Sequence, residues 1–277
     1  MSQAHLSKLF AAAAVALLVV ALFEGTLRWL GLSWLGNPYY SHGPLILLVS
    51  GWLLWRRRDA LRGARAENIG LALTAMGVGV HLLALPLQMQ VISAAALVVV
   101  IVGLVWAFAG RGVVRAWAFP LVFLLLMIPL PGIERLSPTL EAFTAHYAAQ
   151  AARWLGVAAS NLGGQVSVGA QAFTVGAPCS GLRSLVALGT LALLLAYSVQ
   201  GPAWTRSLLV VAALPIALAA NLVRVSSIFW VAGALGADAA LGFFHTLSSP
   251  LLFLVALALL LALGRLLGAT QVRPEAW

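Results

Sequence analysis

From residue 91 to residue 109 the chain reads Val-Ile-Ser-Ala-Ala-Ala-Leu-Val-Val-Val-Ile-Val-Gly-Leu-Val-Trp-Ala-Phe-Ala, without one charge. About 20 such residues, wound as a helix, cross the hydrocarbon core of a bilayer, where the backbone has only its own groups to bond. Runs of this kind recur, and eight spans are expected at approximately 9–31, 40–56, 69–87, 91–109, 113–130, 180–199, 206–234 and 247–267. The second is short for a full crossing. The sequence therefore predicts an all-α polytopic membrane protein, with residues 1–277 as a single integral membrane domain.

Composition excludes the soluble alternatives. The chain is 62% hydrophobic and only 8% charged, a balance no soluble domain of this length shows. Its net charge of +9 would suggest nucleic acid in a soluble protein. Here the arginines gather in short loops as the positive-inside rule requires, so lipid and not nucleic acid is the expected partner. One cysteine excludes an internal disulfide and a multi-cysteine metal site, and no cofactor is implied. The run Leu9 to Leu22 has the look of a signal-peptide core, but no small-residue cleavage site follows, and an uncleaved first helix is expected.

Lys8, Arg56, Arg57, Arg58, Arg62, Arg65, Arg111, Arg115, Arg206, Arg265 and Arg273 fall on one face of this arrangement. That face, with both termini, is expected to be cytoplasmic. The opposite face receives an extracytoplasmic segment, 131–178, the only sizeable non-membrane piece. Leu136, Leu140, Phe143, Tyr147, Ala151 and Trp154 recur there at helical spacing, which predicts an amphipathic helix on the outer surface. Gln165 to Val168 and Ala172 to Val175 alternate at period two around Gly169, which predicts a short hairpin before the next span.

That hairpin leads into Gly176-Ala177-Pro178-Cys179-Ser180-Gly181-Leu182-Arg183. Pro178 suits the first turn of a helix, which would put Cys179 beside unpaired helix N–H groups and bias its thiol towards thiolate. The helix end supplies about 0.3–1 kcal/mol, up to roughly 2. Lowering a thiol pKa by two units takes about 2.7 kcal/mol, so a cation or base nearby must add to it. The alternative for a lone cysteine is a small apolar filler.

Topology brings candidates to the same side. Asn221 and Arg224 lie three residues apart in the seventh span, on one helix face. An arginine inside a span costs roughly 2.5–3.5 kcal/mol, which argues for a task, although snorkelling to the interface is the simpler account. His245 precedes the last span, and His42 in Tyr39-Tyr40-Ser41-His42-Gly43 lies on the same outer side. Position alone does not choose between these two histidines as base, and two histidines without an acidic cluster do not make a metal site.

Taken together these motifs resemble the exosortase/archaeosortase family of membrane-embedded cysteine transpeptidases. Pro178-Cys179-Ser180-Gly181-Leu182-Arg183 is similar to its cysteine motif, Asn221-Leu222-Val223-Arg224 to its Asn-x-x-Arg motif, and Phe244-His245 to its histidine motif. Tyr40-Ser41-His42-Gly43-Pro44 is similar to its N-terminal hallmark, and the likeness spans roughly residues 25 to 268. It implies Cys179 as nucleophile, Arg224 as essential cation and His245 as acid/base. Ser180, Gly181, Arg183, Asn221 and His42 are left to support the site or hold substrate.

The function implied is removal of C-terminal sorting tails, often Pro-Glu-Pro-like, from exported proteins through a thioacyl-enzyme. The acceptor would be an amine, a glycan-linked group or water. The setting implied is a bacterial inner membrane with the site on its extracytoplasmic, periplasmic face. The expectation from another class is a non-catalytic transport or exopolysaccharide-export assembly protein, with Asn221 and Arg224 lining a path and Cys179 incidental. The preceding Gly176-Ala177 departs from the polar or acidic approach expected of the family.

Overall fold

The computed structural model describes residues 3–163, 165–169, 171–269 and 271–273, in two compact units, Met1–Leu130 and Pro131–Trp277.

The first unit contains no strand among its described residues. It contains α1 (Gln3–Leu22), α2 (Glu24–Gly36), α3 (Gly43–Arg56), α4 (Ile69–Ala84), α5 (Gln90–Ala109), α6 (Arg111–Ala116) and α7 (Ala118–Phe123). The first expected span is broken: α1 and α2 meet at an angle of 70°, with Phe23 fully buried at the bend. A hydrogen-bonded chain secures the break. The carbonyl of Leu22 can only accept, so His81 Nε2 donates to it at 3.1 Å. His81 Nδ1 then accepts from Ser93 Oγ at 2.7 Å, and Ser93 in turn pairs with Thr26 Oγ1. Each polar group buried there thus has a partner, as an apolar surrounding demands.

Helices α4 and α5 pack backbone to backbone. A Cβ at Gly70 would stand 2.1 Å from the Ala107 nitrogen, and one at Gly103 would stand 2.6 Å from that of Thr74. Only hydrogen fits at these positions, the device by which membrane helices approach closely without a water-driven hydrophobic force.

The second unit contains α8 (Ser137–Trp154), strands β1 (Ala159–Leu162), β2 (Gln165–Val168) and β3 (Gln171–Thr174), then α9 (Leu182–Ser198), α10 (Ala203–Leu235), α11 (Ala237–Ala239) and α12 (His245–Leu266). The expected hairpin is β2–β3, and β1 adds an antiparallel strand on its other side. β1 escaped the sequence reading because Ala-Ser-Asn-Leu carries no alternating apolar signal. The 33-residue α10 is the spine of this unit. Leu209, Ala213 and Ala217 on its first half pack with Leu188 and Ala192 of α9 and Ala256 and Leu260 of α12. Val225, Ile228 and Phe229 on its second half pack with Val166, Val168 and Phe173 of the sheet.

The helix expected from 136 to 154 is α8, but its packing face is not the one the large side chains suggest. Leu136, Phe143, Tyr147 and Trp154 are exposed, whereas Thr144, Ala145, Ala148, Ala149 and Ala152 are buried in the core shared with α10. Small side chains let two helices approach closely, and the bulky stripe is left for the surroundings.

Among the described residues three helices are long and apolar enough to cross a membrane: Gln90–Ala109, Ala203–Leu235 and Leu247–Leu266. The bent pair Phe10–Leu22 and Glu24–Gly36 makes a fourth if counted as one span. The expected spans at 40–56, 69–87, 113–130 and 180–199 appear as shorter apolar helices, Gly43–Arg56, Ile69–Ala84, Ala118–Met127 and Leu182–Ser198. The protein is a helical membrane protein; full-length helices do not occupy all eight expected segments.

Candidate active site

The cysteine turn is built by three local features. Pro178 sits in a 3-10 turn, Ala177–Cys179, in which the Cys179 N–H bonds the Gly176 carbonyl at 2.8 Å. Ser180, fully buried, donates from Oγ to the Ala177 carbonyl and accepts the Leu182 N–H at 3.3 Å. Gly181 then takes the left-handed conformation, φ 80°, and α9 begins. Cys179 is therefore two residues short of α9, not inside its first turn.

Helix α10 grips this turn from below. The Asn221 side-chain amide donates to the Cys179 carbonyl at 2.9 Å and to Thr144 Oγ1 at 3.2 Å. One turn further along, Arg224 Nη1 donates to the Pro178 carbonyl at 3.2 Å. Two residues at i, i+3 thus hold two consecutive carbonyls, and both are buried. Gly181 is the enabling partner, since a Cβ there would stand 2.8 Å from Asn221 Cγ.

A narrow cavity of about 10 Å³, the room of one water molecule, opens beside the two α10 residues; Ser184, Asn221, Arg224, Ser249 and Phe253 help to line it. Ser249 lies four residues beyond His245, so the first turns of α12 reach the Asn221–Arg224 face.

Electrostatically the thiol is held back rather than released. Burial pushes the Cys179 thiol up from its ordinary value, the Arg224 guanidinium opposes this, and Glu141 of α8 adds to it. The expected bias towards thiolate is not what the resting site provides. The turn spends the Cys179 and Ser180 N–H groups on the Gly176 and Ala177 carbonyls, and desolvation of a charged thiolate outweighs one cation.

Of the residues singled out from sequence, Cys179, Ser180, Gly181, Asn221 and Arg224 are brought together. Arg183 is exposed on the first turn of α9. His245 opens α12 with its backbone; its side chain lies outside the described residues. His42 belongs to the first unit, where it precedes α3 without a side-chain cap bond, stacks near Tyr40 and has its Nε2 buried. Its pKa is lowered by burial, opposed by a hydrogen bond with the Tyr39 backbone. Thr144 and Glu141 were not anticipated. The available signal was the small-residue face of α8 on which Thr144 lies. No group of three or more His, Cys, Asp or Glu residues fit to hold a metal occurs among the described residues.

Residues 34–262 match the family model described as Transmembrane exosortase (Exosortase_EpsH). The chain belongs to the transmembrane exosortase family. The match covers the cysteine turn, α10 and the start of α12, so each element of the site described here lies within the exosortase region. Membership suggests a membrane transpeptidase that processes exported substrates bearing sorting signals. No curated protein and no solved structure matches the chain.

Proposed function

We propose that this protein cleaves C-terminal sorting tails of exported proteins at the extracytoplasmic face of the cytoplasmic membrane, using Cys179 as nucleophile. The observation that carries the reading is the α10 grip, in which Asn221 and Arg224 hold the carbonyls of Cys179 and Pro178. A cysteine that merely filled space would not need two buried polar side chains to fix its backbone.

In the proposed reaction His245 takes the thiol proton as sulfur attacks the scissile carbonyl. A base is needed at that moment because the buried thiol resists ionising beforehand. The Ser180 N–H is taken by the Ala177 carbonyl, which leaves the Gly181 N–H as the backbone donor for the oxyanion. Arg224 keeps the turn in place and supplies positive charge beside the sulfur. The proton held by His245 passes to the leaving amine, giving a thioacyl-enzyme. An incoming amine or glycan-linked acceptor completes transfer, and water completes hydrolysis. Arg183 meets an acidic residue of the tail in this reading, which its exposure at the head of α9 supports.

Co-expression with a tail-bearing exported protein tests this. Wild type is expected to remove the tail and Cys179→Ala to leave it intact, read on a gel and by mass spectrometry of the new C-terminus. An added group there identifies a transferase and a free carboxylate a protease. Processing that survives Cys179→Ala sinks the catalytic reading.

A further inference from the structure

We infer that the open edge of β3 and the apolar cavity beside it bind an extended peptide with a bulky apolar side chain next to the bond to be cleaved. This rests on the peptide-processing role proposed above and specifies how that substrate is held.

The two outer edges of the sheet are treated differently. Pairing of β1 with β2 closes through Leu162 and Gln165, so alternate residues of β1, including Ala159, turn their backbone groups outward. The Ala159 carbonyl is capped there by Arg153 Nη1 at 3.1 Å. On the other side, β2 and β3 pair Val168 with Gln171 and Val166 with Phe173. With two residues of sequence between Val168 and Gln171, this register makes these the hydrogen-bonded pairs, which turns the N–H and C=O groups of Ala172 and Thr174 away from the sheet. Both residues are exposed, and among the described residues no backbone group bonds them on that side.

Edge strands are normally blunted by a charge, a proline, a bulge or a covering element. Gln171-Ala172-Phe173-Thr174 has neither charge nor proline, and a capping device is present on the opposite edge. An open edge of this kind is a template for one more strand, whose main chain provides affinity while pockets select alternate side chains. The edge lies close to the thiol: β3 ends five residues before Cys179, and Thr174 and Cys179 line the same cavity.

A cavity of about 350 Å³ adjoins the same strand, lined among others by Phe173, Val175, Cys179, Val225, Ile228 and Phe229. Its volume lies in the range of small-molecule and side-chain pockets, about 300–1,000 Å³, and among the described residues no charged one lines it. Edge, cavity and thiol thus form one continuous surface. The occupant this fits is a substrate strand that places an apolar side chain in the cavity and the adjoining carbonyl at sulfur.

The test uses the purified full-length protein in lipid nanodiscs, where its one cysteine makes alkylation unambiguous. The probes are acetylated tetrapeptide chloromethyl ketones ending in Gly, Ala or Leu, with iodoacetamide reporting the thiol itself. Relative to iodoacetamide, the Leu probe should label Cys179 at least ~10-fold faster than the Gly probe, the size of effect expected from burying one aliphatic side chain. Thr174→Pro deletes an edge N–H and should lower the peptide-to-iodoacetamide ratio by up to ~10-fold. Ile228→Trp should fill the cavity and reverse the Leu-over-Gly preference.

Methylating successive amides of the Leu probe should slow labelling at alternate positions only, a readout that does not depend on any variant folding. Equal relative rates for all probes, with no alternation, overturn the inference; so does a thiol that iodoacetamide reaches and no peptide labels. If the preference is flat while tail removal still requires Cys179, the edge site falls and the enzyme stands. If the preference is present while tail removal ignores Cys179, the reverse holds.

Discussion

The side-chain amide of Asn221 donates to the carbonyl of Cys179 across 2.9 Å, so the residue that positions the thiol's backbone comes from the middle of another helix. Removing the donor strands that carbonyl. Asn221→Ala should cost about 1–3 kcal/mol, the penalty for an unsatisfied buried polar group, and should reduce tail processing. Asn221→Asp should be worse, because a carboxylate oxygen would face the Cys179 carbonyl and a buried charge would be added. Unfolding in detergent with the processing assay ranks the three proteins; an Asp variant as good as wild type would show that the bond is not needed.

Gly181 and Asn221 should behave as one unit. At φ 80° with Asn221 Cγ 2.8 Å from an added Cβ, Gly181→Ala incurs about 1–2 kcal/mol of backbone strain and also displaces the amide. Its effect and that of Asn221→Ala should therefore sum to more than the double variant shows. A double-mutant cycle in unfolding free energy measures this, and strict additivity would argue that the contact is loose.

The pH dependence of Cys179 alkylation has a definite sign. Burial raises the thiol pKa, so thiolate forms at higher pH than in a free cysteine and alkylation near neutrality should be slow. Arg224 lowers that pKa and Glu141 raises it. Arg224→Gln should therefore move the midpoint of the iodoacetamide rate profile up, and Glu141→Gln should move it down. Midpoints that coincide in all three proteins would mean that neither charge reaches the thiol.

For His42 the linkage runs in the other direction. Its pKa is lowered by burial, so the unfolded chain binds the proton better. Its contribution to stability is present above the unfolded value of 6.5 and is lost as pH falls through the lowered folded value. The melting temperature should drop as pH falls below 6.5, and less so in His42→Gln. Melting of both proteins on either side of that value decides it.

On α8 the buried alanines and the exposed aromatics should respond in opposite ways. Ala148 is fully buried, whereas Trp154 is 79% exposed. Ala148→Leu should overpack the contact with α10 and cost about 1–3 kcal/mol. Trp154→Ala should leave unfolding in detergent unchanged and weaken association with lipid vesicles.

Much of the site was legible because its parts are chemically conspicuous: one cysteine after a proline, an arginine in an apolar run, and an asparagine one turn before it. What the sequence left open was the direction of their contacts. A pattern of residue types says that Arg224 needs a partner, but not that the partner is a carbonyl of Pro178. The packing face of α8 was left open for a related reason, since apolar periodicity marks lipid-facing stripes as strongly as core ones. The bend at Phe23 had no proline or glycine pair to announce it. Its anchor, His81, lies in a different helix and declares itself only through Leu22 and Ser93.

The grip on the cysteine turn also sets an order of manufacture. The Cys179 and Pro178 carbonyls are held by side chains 42 and 46 residues further along the chain, beyond the whole of α9. A ribosome that has just released Cys179 has therefore made a thiol with no organised surroundings. The turn takes its final geometry only after α10 has been synthesised and laid against α9, so an arrested or truncated chain ending before Asn221 should insert its early helices yet process no substrate. Assembly of the site is thus a late checkpoint in biogenesis, passed only when most of the polypeptide is already in the bilayer.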